Sequence, residues 1–192
     1  MKYCSQCGSV VILSIPPGDN RPRHVCTHCN LVHYQNPRIV TGLIPEWQDK
    51  VLLCRRAIEP RRGLWTLPAG FMENGESAHE GAAREALEEA HARVRVGALY
   101  TLFNLPYINQ VYMIFRGKLL DLHYQPGDES LEVELFEQQQ VPWGQLAFRV
   151  VQETLSLYFQ DRERGCYTPR SGTIERVEGM RSQYRTLMLE EC

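Results

Sequence analysis

Two pairs of closely spaced cysteines near the N-terminus constrain the fold of this chain more than any other feature. They follow the pattern C-x2-C-x18-C-x2-C and comprise Cys4, Cys7, Cys26 and Cys29. The two residues inside each pair allow both thiolates to face one ion. Four thiolates fill the tetrahedral shell of Zn2+, so the site would be structural. Two disulfides are the alternative, which a reducing cytosol disfavours. The spacing therefore predicts a small zinc ribbon over residues 1–36.

The composition of the chain allows one ordinary domain after the ribbon. Of its 192 residues, 43% are apolar, which is enough for a substantial buried core. The formal net charge of −2 argues against a surface that binds nucleic acid in general. No apolar run reaches the ~18 residues of a membrane-spanning helix, and the N-terminus has no apolar signal region. We therefore expect a cytoplasmic protein that is neither exported nor inserted in a membrane.

The apolar pattern after the ribbon predicts an α/β domain over residues 37–160. Two β-rich runs flank the segment PEWQD and predict a hairpin; they span residues 39–44 and 50–56. Further strands are predicted at 94–103, 110–120 and 131–137, and helices at 77–90 and 143–159. Strands mixed with two helices pack as layers of helix and sheet. Residues 161–192 lose this periodicity, so we expect a C-terminal tail without an interpretable motif.

The first predicted helix carries a cluster of carboxylates. Ser77 and Glu80 fit the S-x-x-E capping box, in which each side chain binds the exposed backbone N–H of the other residue. Glu85, Glu88 and Glu89 follow at i, i+3 and i+4, within roughly 100° of arc on one helix face. Taken alone, this pattern favours a solvated charged face. Three converging carboxylates are also the oxygen ligands that a hard divalent cation such as Mg2+ prefers.

The residues around this cluster resemble the Nudix box, G-x5-E-x7-R-E-U-x-E-E-x-G-U, in which U is an aliphatic residue. The matching positions are Gly70, Glu76, Arg84, Glu85, Glu88 and Glu89. The chain departs from the pattern where alanines occupy two aliphatic positions and His91 replaces the second glycine. Histidine adopts left-handed backbone angles more readily than most residues. We therefore predict that His91 ends the helix with a positive φ.

The Nudix resemblance implies an α/β/α sandwich with a mixed sheet and a pyrophosphatase that requires Mg2+ or Mn2+. The implied ligands of that cation are the Gly70 carbonyl and the carboxylates of Glu85, Glu88 and Glu89. Arg84 would orient Glu85 through a charge-assisted pair. Members of the family usually add a carboxylate from outside the box, for which we select Glu129 in the loop PGDES. The later Glu132 and Glu134 instead fit outward positions on a strand.

The ribbon and the box together narrow the implied substrate. They resemble the group of plant FAD pyrophosphatase and of bacterial enzymes called ADP-ribose pyrophosphatases. NADH pyrophosphatases share this architecture but carry an SQPWPFP-like segment, where this chain has VPWGQLAFRVVQETL. The resemblance implies a dinucleotide-type substrate (FAD, ADP-ribose or NADH), which is cleaved to AMP and a second phosphate product, and a homodimer.

Several residues are candidate substrate contacts in this interpretation. Two arginines can pair with phosphates, Arg55 and Arg56, and six aromatic residues can stack on a base: Tyr34, Trp65, Phe71, Phe103, Tyr107 and Phe148. From these we select Arg55, Arg56, Trp65 and Phe71. Two other classes of function stay open. One is a non-catalytic regulator that senses a metabolite or binds nucleic acid, although the ribbon has few basic residues. The other is a Nudix enzyme that sanitises nucleotides or decaps RNA.

Overall fold

Two units make up the chain in the computed structural model, which describes residues 1–177 and 184–189. The first unit spans Met1–Pro37 and the second begins at Arg38, and each is described by itself. No helix among the described residues is both long enough and apolar enough to cross a bilayer.

The first unit contains three short antiparallel strands and almost no apolar core. The strands are β1 (Val11–Ser14), β2 (Arg23–Cys26) and β3 (Val32–His33), in the order β1-β2-β3. The buried apolar cluster consists of Cys4, Val11 and Cys26. Because so little apolar surface is removed from water, the hydrophobic effect alone cannot stabilise a unit of this size.

The second unit is built on a mixed sheet, which has nine strands among the described residues. They are β4 (Arg38–Trp47), β5 (Lys50–Arg56), β6 (Trp65–Thr66), β7 (Ala69–Phe71), β8 (Val94–Leu105), β9 (Gln110–Leu119), β10 (Ser130–Phe136), β11 (Arg170–Arg176) and β12 (Tyr184–Met188). The main order is β10-β5-β4-β9-β8-β11-β12, while β6 pairs with β5 and β7 with β4. The β4–β9 and β8–β11 pairs are parallel. The predicted hairpin of β4 and β5 is confirmed.

Two helices, α1 (Ala78–Ala90) and α2 (Arg149–Arg164), cover opposite faces of this sheet. Successive residues of a strand point to opposite faces, and β4 shows this clearly. Leu43 packs with Ala82 and Ala86 of α1, whereas the next residue, Ile44, packs with Leu155 of α2. Small side chains on α1 let its backbone approach the sheet closely. The expected α/β/α sandwich with a mixed sheet is therefore confirmed.

The second helix begins later than the apolar pattern predicted. Residues Trp143–Gln145 form a short 3-10 helix, and α2 starts only after Phe148. The intervening chain is extended because it lies along β6, where the Ala147 N–H donates to the Trp65 carbonyl at 2.8 Å. At the other end α2 runs past the predicted residue 159 to Gly165, whose φ of 69° closes the helix. A long-range pairing with β6 therefore displaced the predicted start.

The loss of periodicity predicted a C-terminal tail from residue 161, but the described residues of this segment complete α2 and add two strands to the sheet. Strand β11 joins the sheet parallel to β8, and β12 pairs antiparallel with β11. In β11 the residues that face inward include Gly172 and Ile174, both buried, within a run that is otherwise polar. Two inward positions are too few for a strand pattern to stand out in the sequence. The rest of the expected tail, 178–183 and 190–192, lies outside the described residues.

An ion pair between a buried carboxylate and a partly exposed guanidinium joins the end of α2 to β11. Asp161 is 1% exposed, and its Oδ1 accepts a hydrogen bond from Nη2 of Arg170 at 2.6 Å. Its Oδ2 also accepts from the Tyr100 hydroxyl at 2.9 Å and from the Thr168 N–H at 3.2 Å. The bond from Arg170 is the main reason why the pKa of Asp161 lies below its usual range. We call these four residues the Asp161 clip.

Replacing Asp161 with asparagine is expected to destabilise the fold by about 3 kcal/mol, because the guanidinium of Arg170 loses its buried counter-charge. The pKa of Asp161 is lower in the folded state than in the unfolded state, where it is about 4. The ion pair therefore contributes fully to stability above about pH 4, and this contribution is lost as the pH falls through the folded-state pKa. The difference in free energy of unfolding between wild type and Asp161→Asn should therefore shrink below about pH 4. Urea unfolding at several pH values measures it. Glu163→Gln, at an exposed position on the same helix, is the control, and an equal effect from both substitutions would contradict the prediction.

Candidate active site and zinc centre

Helix α1 has well-defined ends that fix its carboxylates in place. Ser77 Oγ accepts a hydrogen bond from the Glu80 N–H at 3.3 Å, and the Glu80 carboxylate accepts from the Ser77 N–H at 2.7 Å. This is the predicted capping box. At the other end His91 has a φ of 48° and a ψ of 22°. The prediction that His91 ends the helix with a left-handed conformation is therefore confirmed.

The carboxylates of α1 differ sharply in exposure. Glu85 and Glu89 are 8% and 6% exposed, whereas the side chain of Glu88 is 58% exposed. Oε2 of Glu89 is buried and has no hydrogen-bond partner among the described residues. Burial is the main reason why the pKa of Glu89 rises to about 8 and that of Glu85 also rises. A buried carboxylate oxygen without a partner is costly, and a divalent cation is the kind of group that satisfies it.

Arg84 holds the acidic residues of the box together. Its Nη1 donates to Glu85 at 2.8 Å and to Glu88 at 2.9 Å. On its other side, Nε and Nη2 bind the two oxygens of Glu76 at 3.0 and 2.9 Å, and Nη2 also donates to the Phe71 carbonyl. The bond from Arg84 is the main cause that lowers the pKa of Glu76 to about 2. Arg84 is therefore immobilised by Glu76 and in turn fixes Glu85.

Glycine at position 70 allows the Glu85 carboxylate to lie directly against the backbone of β7. A Cβ atom at Gly70 would lie 2.3 Å from Oε1 of Glu85, which is far inside van der Waals contact. Strand β7 is held in place by its antiparallel pairing with β4, where Gly70 lies opposite Thr41. The structure thus brings the predicted ligands Gly70 and Glu85 together.

The loop between β9 and β10 packs against the C-terminal end of α1. The N–H groups of Gln125 and Gly127 donate to the carbonyls of Ala90 and Glu89, each at 3.0 Å, which satisfies free acceptors at the helix end. A Cβ atom at Gly127 would lie only 1.7 Å from the Glu88 carbonyl oxygen. Gly127 is therefore required for this approach, which brings the next acidic residues, including Glu129, beside the box.

These residues open into a cleft with a volume of about 1150 Å3. Its lining contains the carboxylates of Glu59, Glu73, Glu85, Glu88, Glu89, Asp128 and Glu129, the guanidinium groups of Arg56, Arg61, Arg84, Arg149 and Arg176, and the rings of Phe71, Tyr107, Tyr112, Phe148 and Tyr184. Ligand pockets usually measure about 300–1,000 Å3. The cleft is therefore large enough for a dinucleotide and combines an acidic part with cationic and aromatic parts.

Two of the four selected substrate contacts line the cleft, Arg56 and Phe71. The Arg56 guanidinium lies 5.1 Å from the centre of the Phe148 ring, and its Nε donates to the Pro60 carbonyl at 3.0 Å. The charge of Arg56 lowers the pKa of Glu89 and of Tyr112, against the larger effect of burial. Arg56 is therefore close both to the carboxylates and to the aromatic part of the cleft.

The other two, Arg55 and Trp65, are not among the described residues that line the cleft. Trp65 is 7% exposed and packs edge-on against Phe136, with 4.9 Å between ring centres. Nε of Arg55 donates to the Gly63 carbonyl at 2.9 Å, and Nη1 to Glu132 at 3.3 Å. Neighbours on a strand point to opposite faces, so Arg55 and Arg56 cannot both enter one cleft. The expectation that Arg55 and Trp65 contact the substrate is therefore not supported.

Of the four remaining aromatic candidates, two line the cleft and two do not. Tyr107 and Phe148 line the cleft, Phe103 is fully buried in the core, and Tyr34 belongs to the first unit. Among the arginines and aromatic residues of the cleft lining, sequence reasoning missed Arg61, Tyr112, Arg149, Arg176 and Tyr184. Arg176 and Tyr184 lie in the segment that was expected to be a tail, and no motif marks them.

The four cysteines of the first unit converge as the spacing predicted. Their Sγ atoms all lie within 4.8 Å of one another, and three of the separations are 3.4, 3.6 and 3.7 Å. Tetrahedral Zn2+ with bonds of about 2.3 Å requires separations of about 3.8 Å. Backbone N–H groups also point at the sulfurs, from Gln6 to Cys4 and from His28 to Cys26, each at 3.4 Å. The arrangement fits one structural zinc ion.

Known protein families match both units of the chain. A zinc-ribbon family described as "Nudix N-terminal" matches residues 2–35, and the NUDIX domain family matches residues 36–157. The crystal structure of a NUDIX hydrolase from Nitrosomonas europaea is 57% identical, with a TM-score of 0.90, and the match covers 92% of this chain and 100% of that chain.

Curated relatives show lower identity. The NAD-capped RNA hydrolase NudC of Edwardsiella ictaluri is 27% identical over 164 residues, which cover 81% of this chain and 61% of the relative. The ADP-ribose pyrophosphatase of Methanocaldococcus jannaschii is 29% identical over 119 residues, which cover 60% of this chain and 69% of the relative. The chain thus spans about three fifths of the length of the NudC relative. Because the NUDIX domain family matches well over half of the residues, the chain belongs to the Nudix hydrolase family.

Proposed function

We propose that this protein hydrolyses the pyrophosphate bond of a nucleoside diphosphate derivative, of the FAD, ADP-ribose or NADH type, with Mg2+ or Mn2+ as cofactor. The observation that carries the proposal is the pair of buried carboxylates, Glu85 and Glu89, in the lining of a large cleft. The unpartnered Oε2 of Glu89 is explained by a cation, since this buried atom has no hydrogen-bond partner in the part of the chain that the structure describes.

Each residue of the box has a separate role in this proposal. Glu85 and Glu89 hold the cation, with Glu88 and the Gly70 carbonyl as further ligands. Arg84 positions Glu85, since its guanidinium is itself fixed by Glu76. When bound, the cation neutralises charge on the pyrophosphate and lowers the pKa of a bound water.

Glu129 accepts a proton from the attacking water in the proposed mechanism. It lines the cleft, and its charge helps to raise the pKa of both Glu85 and Glu89, so it lies close to them. Its backbone is held by the Ala57 N–H, which donates to its carbonyl at 2.8 Å. The water oxygen forms a bond to one phosphorus, the bridging P–O bond breaks, and AMP leaves with a second phosphate product.

Arg56 complements the carboxylates from the other side of the substrate. A pyrophosphate diester carries two negative charges, and a guanidinium provides paired donors for phosphate oxygens. Arg56 is pre-oriented by the Pro60 carbonyl and the Phe148 ring. We expect it to bind the phosphate group that is not attacked.

A second candidate substrate is NAD-capped RNA. The relative named for that activity matches 81% of this chain, a span that includes more than the catalytic box. The reaction would be the same pyrophosphate cleavage at the same residues, with RNA attached to one product. The homodimer that the resemblance implies and the cytoplasmic location that the apolar pattern of the sequence predicts both stay predictions.

Assays of the full chain with Mg2+ test the proposal. The panel consists of FAD, ADP-ribose, NADH, NAD-capped RNA and dGTP, and the product measured is AMP, its RNA counterpart or, for dGTP, dGMP. We expect kcat/KM for at least one of the first four substrates to exceed that for dGTP by about tenfold or more. Preference for dGTP would favour a sanitising enzyme. Absence of turnover for every substrate, with zinc bound, would refute hydrolysis and favour a regulator that senses metabolites.

A further inference from the structure

The cleft has an aromatic end that the Nudix box does not provide. Tyr107 lies in the short 3-10 helix Pro106–Ile108, between β8 and β9, and Tyr184 begins β12. The two rings are 5.4 Å apart between centres and inclined by 47°. Tyr107 is 37% exposed and Tyr184 is half-buried, so neither ring is fully enclosed by protein. Both line the cleft.

The pairing of β11 with β12 adds a cation to this end. Arg176 lies directly opposite Tyr184 in the antiparallel register, and directly opposed residues project from the same face of a sheet. Arg176 is exposed and also lines the cleft. Its charge lowers the pKa of Tyr107, although burial raises that pKa overall to about 12. Arg176 and the two tyrosines therefore form one group, which we call the C-terminal aromatic subsite.

The order of the strands separates this subsite from the carboxylates. Gly70 lies on β7, which pairs with β4, and the sheet continues from β4 through β9, β8 and β11 to β12. Four steps of about 4.8 Å give roughly 19 Å between the backbones of β4 and β12. Side chains from both ends extend into the cleft between them. A dinucleotide has the corresponding layout, since its base and its pyrophosphate are separated by a ribose.

We propose that the C-terminal aromatic subsite binds the adenine ring of the substrate. Tyr184 stacks on the base, Tyr107, whose ring is inclined by 47° to that of Tyr184, packs beside it, and Arg176 provides the polar edge of the subsite. Stacking on tyrosine tolerates different bases but requires an aromatic face. The inference rests on the proposed function for the identity of the ligand. In this proposal the last strands of the fold, which lie beyond the NUDIX family match, contribute to substrate binding.

Titration calorimetry tests this proposal. It measures the affinities of the full chain for AMP and for ribose 5-phosphate in a buffer that contains Mg2+. The two ligands share the phosphate and the ribose, so the ratio of their affinities reports on the base alone. We expect wild type to bind AMP about tenfold or more tightly than ribose 5-phosphate. Tyr184→Leu, which keeps apolar bulk, and Tyr184→Ala should bring the ratio close to one. Tyr184→Phe should retain it.

The control is Leu187→Ala, which truncates a side chain of β12 that is 41% exposed and does not line the cleft among the described residues. It should leave the ratio unchanged. A wild-type ratio near one, or an unchanged ratio in Tyr184→Leu, would overturn the subsite. In kinetics, Tyr184→Leu should raise KM for ADP-ribose about tenfold and change kcat by less than about twofold.

Failure of the subsite is distinguishable from failure of the proposed function. Turnover of the substrate panel together with AMP binding that does not depend on Tyr184 would overturn only the subsite. No turnover of the panel together with Tyr184-dependent AMP binding would overturn only the hydrolysis, and the subsite would stand as part of a nucleotide sensor.

Discussion

Replacement of Glu89 with glutamine is expected to lower kcat for the preferred substrate about 10^3-fold or more. The substitution keeps the shape of the side chain but removes the charge that holds the cation. A factor of 10^3 corresponds to about 4 kcal/mol of transition-state stabilisation, which is within the range that a divalent cation supplies to phosphoryl chemistry. Steady-state kinetics in Mg2+ measure the effect.

Folding of the Glu89→Gln variant is not expected to suffer. In wild type without a cation, Glu89 is a buried carboxyl whose pKa is raised to about 8, so its removal does not eliminate a stabilising ion pair. The thermal midpoint in metal-free buffer should be equal to or above that of wild type. Glu132→Gln is the matched control, because Glu132 pairs with Arg55 and its side chain is 48% exposed. Retained activity in Glu89→Gln, or an equal loss in Glu132→Gln, would contradict the proposed role.

Loss of one zinc ligand is expected to unfold the first unit. The apolar core of residues 1–37 consists of three side chains, of which Cys4 and Cys26 are themselves candidate ligands. Structural zinc contributes about 10–16 kcal/mol in peptides of comparable size, far more than burial of one valine. Cys26→Ala should therefore abolish stoichiometric zinc and remove the protection of backbone amides in residues 1–37 from hydrogen exchange.

Elemental analysis and hydrogen exchange with mass spectrometry provide these two readouts. Wild type should contain one zinc ion per chain. Cys166→Ser serves as the control, because Cys166 is an exposed free thiol outside the cluster, and it should keep both zinc and protection. Unchanged protection in Cys26→Ala would show that the unit folds without the metal.

Local signals in the sequence were sufficient for the parts of the site that lie on one element. The capping box of Ser77 and Glu80, the left-handed His91 and the placement of the carboxylates on one helix face depend on spacing within α1. The two C-x2-C pairs predict the zinc site for the same reason, because the two residues inside each pair form the turn that brings its two thiolates together. A pattern of fixed period or fixed spacing carries this information without reference to distant residues.

Contacts between distant segments were not predictable in the same way. The start of α2 is set by the hydrogen bond from Ala147 to Trp65. The sequence around residue 147 contains no signal that predicts Trp65 as the partner. Strand β11 contains few apolar residues and is fixed by pairing with β8 and by the bond between Arg170 and Asp161. Trp65 was selected for stacking because it is aromatic, yet its burial against Phe136 depends on the position of β10.

The Asp161 clip has a consequence for how the protein matures on the ribosome. Strand β11 joins the sheet beside β8, although Arg170 is synthesised long after its partner Thr101. A nascent chain that has just completed the NUDIX match at residue 157 has all the carboxylates of the box but lacks Asp161, Arg170 and Tyr184. Such a chain can begin to form the sheet early, whereas the wall around Tyr184 is added last. Translation that stops before β11 would therefore produce a protein with an acidic site and an incomplete cleft.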